Sequence, residues 1–349
     1  MNKIKKIFLV VLSVVSCSLF ANENQREKIN APFVFSFVSN EFYLFSQKDV
    51  VTPFAVGMLG STVYQVNALQ ASSLYNVTHE VNGVQLSGIL NWNTSEFDGV
   101  QGAGIFNVNG GDFDGSQLAG ILNVNAGAFS GFQGAGIMNY AGGQDSNGVQ
   151  AASILNIKKG NLKGAQIGLI NICSGECNFQ LGLINISKNG IIELGASYTS
   201  NDNIRYTFTS GKEYFYTVVG FMTDNPFRNG NMFKKEFFYN FENFTGVGTR
   251  LSFGIFNVGV EALYNNVFFL DSDNRFRSAG YISGRVAAGV TPVKHFNIFA
   301  GYTAGFEHSA YCNSDLAFEH KASNLKTRFN NGLVIHHEVD VGIKVCLNN

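Results

Sequence analysis

Hydrophobic and polar positions alternate along most of this chain, in two different ways. Between residues 64 and 190 one phrase recurs, as in DGVQGAGIFNVNGG at 98–111 and DGSQLAGILNVNAG at 114–127. Aligned on glutamine, the copies fall at Gln70, Gln85, Gln101, Gln117, Gln133, Gln150, Gln166 and Gln180, at spacings of 15, 16, 16, 16, 17, 16 and 14 residues. An asparagine follows each one: Asn76, Asn91, Asn107, Asn123, Asn139, Asn156, Asn171 and Asn185. A short, regular period of this kind marks repeated β-units. The connectors Asn109-Gly110-Gly111-Asp112, Asn125-Ala126-Gly127 and Lys159-Gly160-Asn161 are rich in residues that tolerate positive φ, as tight turns require.

Read as a strand of period two, one copy places Gln101, Ala103, Ile105 and Asn107 on one face. Val100, Gly102, Gly104, Phe106 and Val108 fall on the other. Neither face carries charge. The acids Glu96, Asp98, Asp112, Asp114 and Asp145 all sit in connectors.

Two architectures satisfy this pattern. In the first, each copy is a transmembrane barrel strand, with its apolar face to lipid and its amides inward; about ten residues suffice for such a strand. In the second, each copy is one coil of a parallel β-solenoid. Like then stacks on like, which explains why every copy is the same. The Gln–Asn interval is six in most copies but five in QIGLIN and QLGLIN. In a regular strand the missing residue would throw the asparagine to the opposite face. A bulge in the longer copies or a solenoid corner would absorb it.

After residue 190 the alternation is cleaner. Val247, Thr249, Leu251, Phe253 and Ile255 oppose Gly246, Gly248, Arg250, Ser252 and Gly254. Ile282, Val286 and Val290 oppose Ser283, Arg285 and Gly289, and Ile298, Tyr302 and Phe306 oppose Asn297, Thr303 and Glu307. One face is apolar and the other carries the charges, as in an outer-membrane barrel. Glu193, Arg205, Arg250, Glu261, Arg285 and Glu307 form a candidate interior network, with a small pore as a sharper reading. The alternative is a soluble sandwich with its apolar faces inward. In the tail EVDVGIKVCLNN, the placement of Gly342, Val345 and Leu347 resembles the last-strand signal read by the bacterial barrel-assembly machinery.

Composition agrees with exposure to an apolar medium. Only 14% of residues are charged, net charge is −1, and Gly (39), Phe (33) and Tyr (13) are abundant. Nucleic acid as a partner calls for a basic face that this balance does not supply. The start, MNKIKKIFLVVLSVVSCSLFANENQ, has the pattern of an export signal ending near Ala21, and Cys17 offers a loose lipidation motif. Beyond it no run of about 20 apolar residues predicts a transmembrane helix, so any span is a closed barrel. The expected organisation is a signal peptide (1–21), a lead-in (22–63), tandem β-repeats (64–190) and amphipathic antiparallel strands (191–349).

Candidate chemistry is sparse. Cys173 and Cys177 flank a turn and are a candidate disulfide. The six histidines fall in no zinc-binding pattern. Asp271 and Asp273 in LDSDNRF read as a solvated loop tip. No nucleophile elbow or phosphate loop is present. The repeated amides read as structural hydrogen-bond ladders.

The GVQ…GI.N repeats, the lead-in APFVFSFVS (31–39) and the aromatic-rich strands resemble the spirochaete-type surface-repeat proteins of Gram-negative bacteria. That resemblance implies an outer-membrane or surface location and defines no catalytic residue. The expectation is an exported, all-β, outer-membrane barrel-like protein with 16-residue repeats. Its alternative is a solenoid repeat region followed by a barrel. The expected role is structural or surface-presenting, not enzymatic, without cofactors. Its expected partners are outer-membrane lipid, the assembly machinery and an unknown surface ligand. The rival reading is a peripheral or lipid-tethered, adhesin-like repeat module.

Overall fold

The computed structural model describes residues 27–37, 48–225, 241–270, 276–308, 326–328 and 333–347. The export signal with Cys17, the Asp271–Asp273 loop tip and Cys312 lie outside the described residues. So do the side chains of Glu307 and His308. All regular structure in the described residues is β, and it divides into two units, Met1–Phe179 and Gln180–Asn349.

The first unit is a parallel β-solenoid. Strand Lys48–Gly57 pairs with Glu27–Asn30, Val34–Ser36 and Gly60–Ser72, all in parallel, so the lead-in joins the repeat sheet. From residue 90 each coil holds a short strand and a longer one, such as Phe106–Asn109 and Phe113–Ala119. Each strand lies in register on its equivalent one coil earlier: Gln101 faces Gln85 and Gln117, and Asn107 faces Asn91 and Asn123. The repeats are therefore coils and not transmembrane strands. The physical reason is that their backbone hydrogen bonds run to the copy one period away, leaving none to make a hairpin with the adjacent segment.

The Gln–Asn interval is absorbed at a corner. In long copies the corner is Gly104–Ile105; in a short copy it is Gly168–Leu169, and the preceding strand ends one residue nearer its glutamine. Both geometries leave the two amides buried. A second feature fixes the coil. Gly99, Gly115, Gly131 and Gly148 form a column with φ between 114° and 149°. A Cβ on Gly115 would lie 1.9 Å from the carbonyl oxygen of Gly99, so neither conformation nor space admits another residue.

The solenoid turns its polar groups inward. Its interior holds the amides together with Phe97, Phe113 and Phe129, which stack along the axis. Its outer surface is aliphatic over one edge and acidic over the other.

The second unit is a closed barrel of eight antiparallel strands: Ile191–Thr199, Asn203–Lys212, Phe215–Asp224, Phe241–Phe253, Phe256–Leu270, Phe276–Val293, Phe296–His308 and Leu333–Cys346. The last pairs with the first, which closes the sheet. Side chains alternate as the sequence predicts. Leu251 and Ile282, each 63% exposed, point out, while Arg285 and Asp340 point in. A soluble sandwich is thus replaced by a barrel with apolar residues outside and charges inside.

Candidate functional site

Two buried polar systems dominate the molecule. The first is a pair of amide ladders in the solenoid. Each glutamine donates to the glutamine one coil earlier: Gln101 Nε2 to Gln85 Oε1 at 2.6 Å, Gln117 to Gln101 at 2.8 Å, Gln133 to Gln117 at 2.8 Å. The series runs from Gln70 to Gln166. The asparagines donate the opposite way, each to the copy that follows: Asn91 Nδ2 to Asn107 Oδ1 at 2.9 Å, Asn107 to Asn123 at 3.0 Å, Asn123 to Asn139 at 2.9 Å. The series runs from Asn76 to Asn171. Two chains of amide dipoles therefore run antiparallel through the core. Buried amides without partners would be costly, and identical copies supply each one with a donor and an acceptor. The ladders are sealed from solvent, so they hold the coils together and offer no ligand surface.

A third polar column caps the turns. Asn93 Nδ2 donates to the carbonyls of Ser95 and Glu96, and Asn125 does so to Gly127 and Ala128. Two coils further on from Asn125 the column carries Lys158, followed by Cys173. The Lys158 amine donates to the carbonyls of Gly143 and Lys159. Its burial pushes the ammonium pKa below the ordinary lysine value. Sequence reading missed this lysine because it sits in a connector that reads as a solvated turn.

The candidate disulfide is not formed. Cys173 and Cys177 both carry buried thiols that are not bridged to each other. Cys173 takes the capping position, with its thiol on the Gly160 carbonyl at 3.2 Å. Cys177 follows Glu176, whose carbonyl accepts from Leu162, as Phe113 follows Asp112, whose carbonyl accepts from Phe97. Each cysteine thus fills a core position of its own column.

The second polar system fills the barrel. Arg285 Nη1 donates to Glu261 Oε2 at 2.9 Å, and its Nη2 to Asp340 Oδ2 at 2.8 Å, beneath the ring of Phe299. Arg250 forks onto Glu193 at 2.7 and 2.5 Å. Arg205 reaches Glu338 at 2.6 Å, and Lys344 lies 3.8 Å from Glu261. Tyr216 and Tyr281 donate to Glu261 and Glu242. Of the interior charges named from sequence, Glu193, Arg205, Arg250, Glu261 and Arg285 all enter this network. Glu242 and Glu338 were missed, although alternation back from Asp340 places Glu338 on the same face. An eight-stranded barrel is just wide enough for side chains to fill it, and here ion pairs do so.

Residues 183–189 lie against the outer wall of the barrel at one end, because Ser210 and Thr217 pair on the face opposite Arg205 and Tyr216. Asn185 donates from its backbone to Ser210 Oγ at 3.0 Å and from Nδ2 to Thr217 Oγ1 at 3.2 Å. Thr217 donates to the Leu183 carbonyl at 3.1 Å, and Lys212 to that of Asn189 at 3.1 Å. This is the end where strands are joined by the two-residue turns 213–214, 254–255 and 294–295.

Along the turn edge of the solenoid, Asp98, Asp112, Asp114 and Asp145 rim an open groove floored by Phe97, Phe113 and Phe129. Among the described residues no group of His, Cys, Asp or Glu could hold a metal ion.

No family model matches the chain, and no curated protein matches it. Among solved structures, it is similar to the crystal structure of Neisserial surface protein A (NspA), at 9% identity and a TM-score of 0.27. That likeness covers 45% of this chain and 94% of the other. It is also similar to the N-terminal β-barrel domain of Pseudomonas aeruginosa OprF, at 11% identity and a TM-score of 0.26, over 45% of this chain and 98% of the other.

Proposed function

We propose that this protein is an outer-membrane anchor. Its barrel crosses the bilayer and holds a rigid repeat module at the membrane, in a structural and not a catalytic role. One observation carries the reading: the closed barrel is inverted relative to a soluble fold. Leu194, Leu251, Val260, Ile282 and Ile343 face outward while the ion pairs face inward. Such a surface suits hydrocarbon, and a closed sheet leaves no backbone edge unpaired there. Of the residues that resemble the assembly-machinery signal, Gly342 and Val345 lie on the closing strand Leu333–Cys346 and Leu347 follows it.

The pore reading is not favoured. Ion pairs fill the lumen. The test is gel migration of the full chain folded in lipid, with and without boiling, together with conductance in planar bilayers. A heat-dependent shift without channel steps is expected. Release of the protein from membranes by urea would refute the anchor, and stepwise conductance would refute the filled lumen.

A further inference from the structure

The outer surface of the solenoid has one edge with no charge at all. From each glutamine to the residue after its asparagine, none of the eight copies contains Asp, Glu, Lys, Arg or His: 70–77, 85–92, 101–108, 117–124, 133–140, 150–157, 166–172 and 180–186. The amides of these stretches point inward, and what remains outside is aliphatic. At the corner between the two strands, Leu74, Ile89, Ile121, Ile137, Ile154 and Leu169 form a ridge, each 38–47% exposed. Leu86, Leu118 and Ile167 flank it on one side and Phe106 on the other. One step further from the ridge, the column of Val108 carries Trp92 and Tyr140, both half-buried. The acids lie at the far end of the coil: Glu96 and Asp112 on the turns, and Asp98, Asp114 and Asp145 at the start of the longer strands.

We propose that this ridge is seated in the acyl chains of a lipid leaflet. The proposal rests on the reading of the barrel as a membrane anchor. Three features select lipid over a second copy of the chain. The ridge is a convex corner, and two convex ridges touch along a line, whereas fluid chains fold around one. Aromatic side chains stand between the aliphatic ridge and the acidic edge, the order found across a membrane interface. The repeats are also continuous in sequence with the barrel, which in that reading lies in a bilayer.

The chain's single tryptophan, Trp92, lies in the repeats, so the barrel contributes no indole signal. The probe is the full-length double variant Trp92→Phe/Ile137→Trp, folded into phosphatidylcholine–phosphatidylglycerol vesicles with ordinary or brominated acyl chains. Brominated lipid should quench about half of the emission, as expected for a side chain about 5–10 Å inside the leaflet. A probe at the acidic edge, Trp92→Phe/Asp98→Trp, should keep its emission. Adding Ile105→Glu and Ile121→Glu to the ridge probe should restore it. Heat-modifiable migration is read on the same samples. A folded barrel with an unquenched ridge probe overturns the proposal. So does emission that changes with protein concentration and not with bromine, which would mean a second copy covers the ridge. A barrel that is not heat-modifiable overturns the anchor reading itself, and this inference with it.

Discussion

Gln117 sits in mid-ladder, and its replacement tests whether the ladder acts as one cooperative array. Its Nε2 donates to Gln101, and its Oε1 accepts from Gln133, each at 2.8 Å. Gln117→Leu keeps the volume and removes both bonds. Gln101 Oε1 retains a donor in Asn109 Nδ2 at 3.0 Å, but Gln133 Nε2 loses its acceptor. Two buried hydrogen bonds and one orphaned amide together cost about 2–4 kcal/mol. Adding Gln133→Leu removes a third bond, from Gln150 to Gln133, but removes the orphaned Gln133 amide with it, so the count of orphaned donors stays at one. The orphaned donor is then Gln150 Nε2, which keeps a long contact to the Ile157 carbonyl at 3.4 Å. The double variant should therefore cost about the same 2–4 kcal/mol, where independent sites would add to about 4–8. Trp92 fluorescence of the full chain in a urea titration reads this unit, since stability falls linearly with denaturant. A double variant that costs the sum of its two singles would refute the ladder argument.

Four further outcomes are expected. Gly115→Ala forces a side chain into positive φ and onto the Gly99 carbonyl, so it should destabilise the repeats by about 3 kcal/mol or more, read by the same titration. Arg285→Met strips Glu261 and Asp340 of their main cation; breaking a buried pair costs about 3–5 kcal/mol, so the folded gel band should be lost at a lower temperature. Lys158 binds its proton less tightly folded than unfolded. The repeats should therefore gain stability as pH rises from its depressed pKa towards 10.5, and Lys158→Asn should abolish that slope in urea midpoints taken across alkaline pH. Thiol titration of the purified, unreduced chain after denaturation should find Cys173 and Cys177 as thiols; a bridge between them would refute their placement in separate core columns.

The barrel was legible because alternation of period two is local. A strand with Arg250 on one face and Leu251 on the other already states which side avoids water. What the charges do inside was not legible. Arg285 meets Asp340 across 55 residues, over Gly301 of the intervening strand Phe296–His308, a pairing that exists only once three strands align in register. The repeats show the same division. Their period, the equivalence of the copies and the inward turn of Gln and Asn could be read from the chain. Whether a copy pairs with its sequence neighbour as a hairpin or with its equivalent one period away could not, because both leave the same local alternation. The five-residue intervals allowed either a bulge or a corner, and only the tertiary structure showed a corner, at Gly168–Leu169. By itself the sequence determined which side chains must be identical. The tertiary structure decided that they are identical because each bonds to its own copy, which is the arrangement that satisfies a column of buried amides.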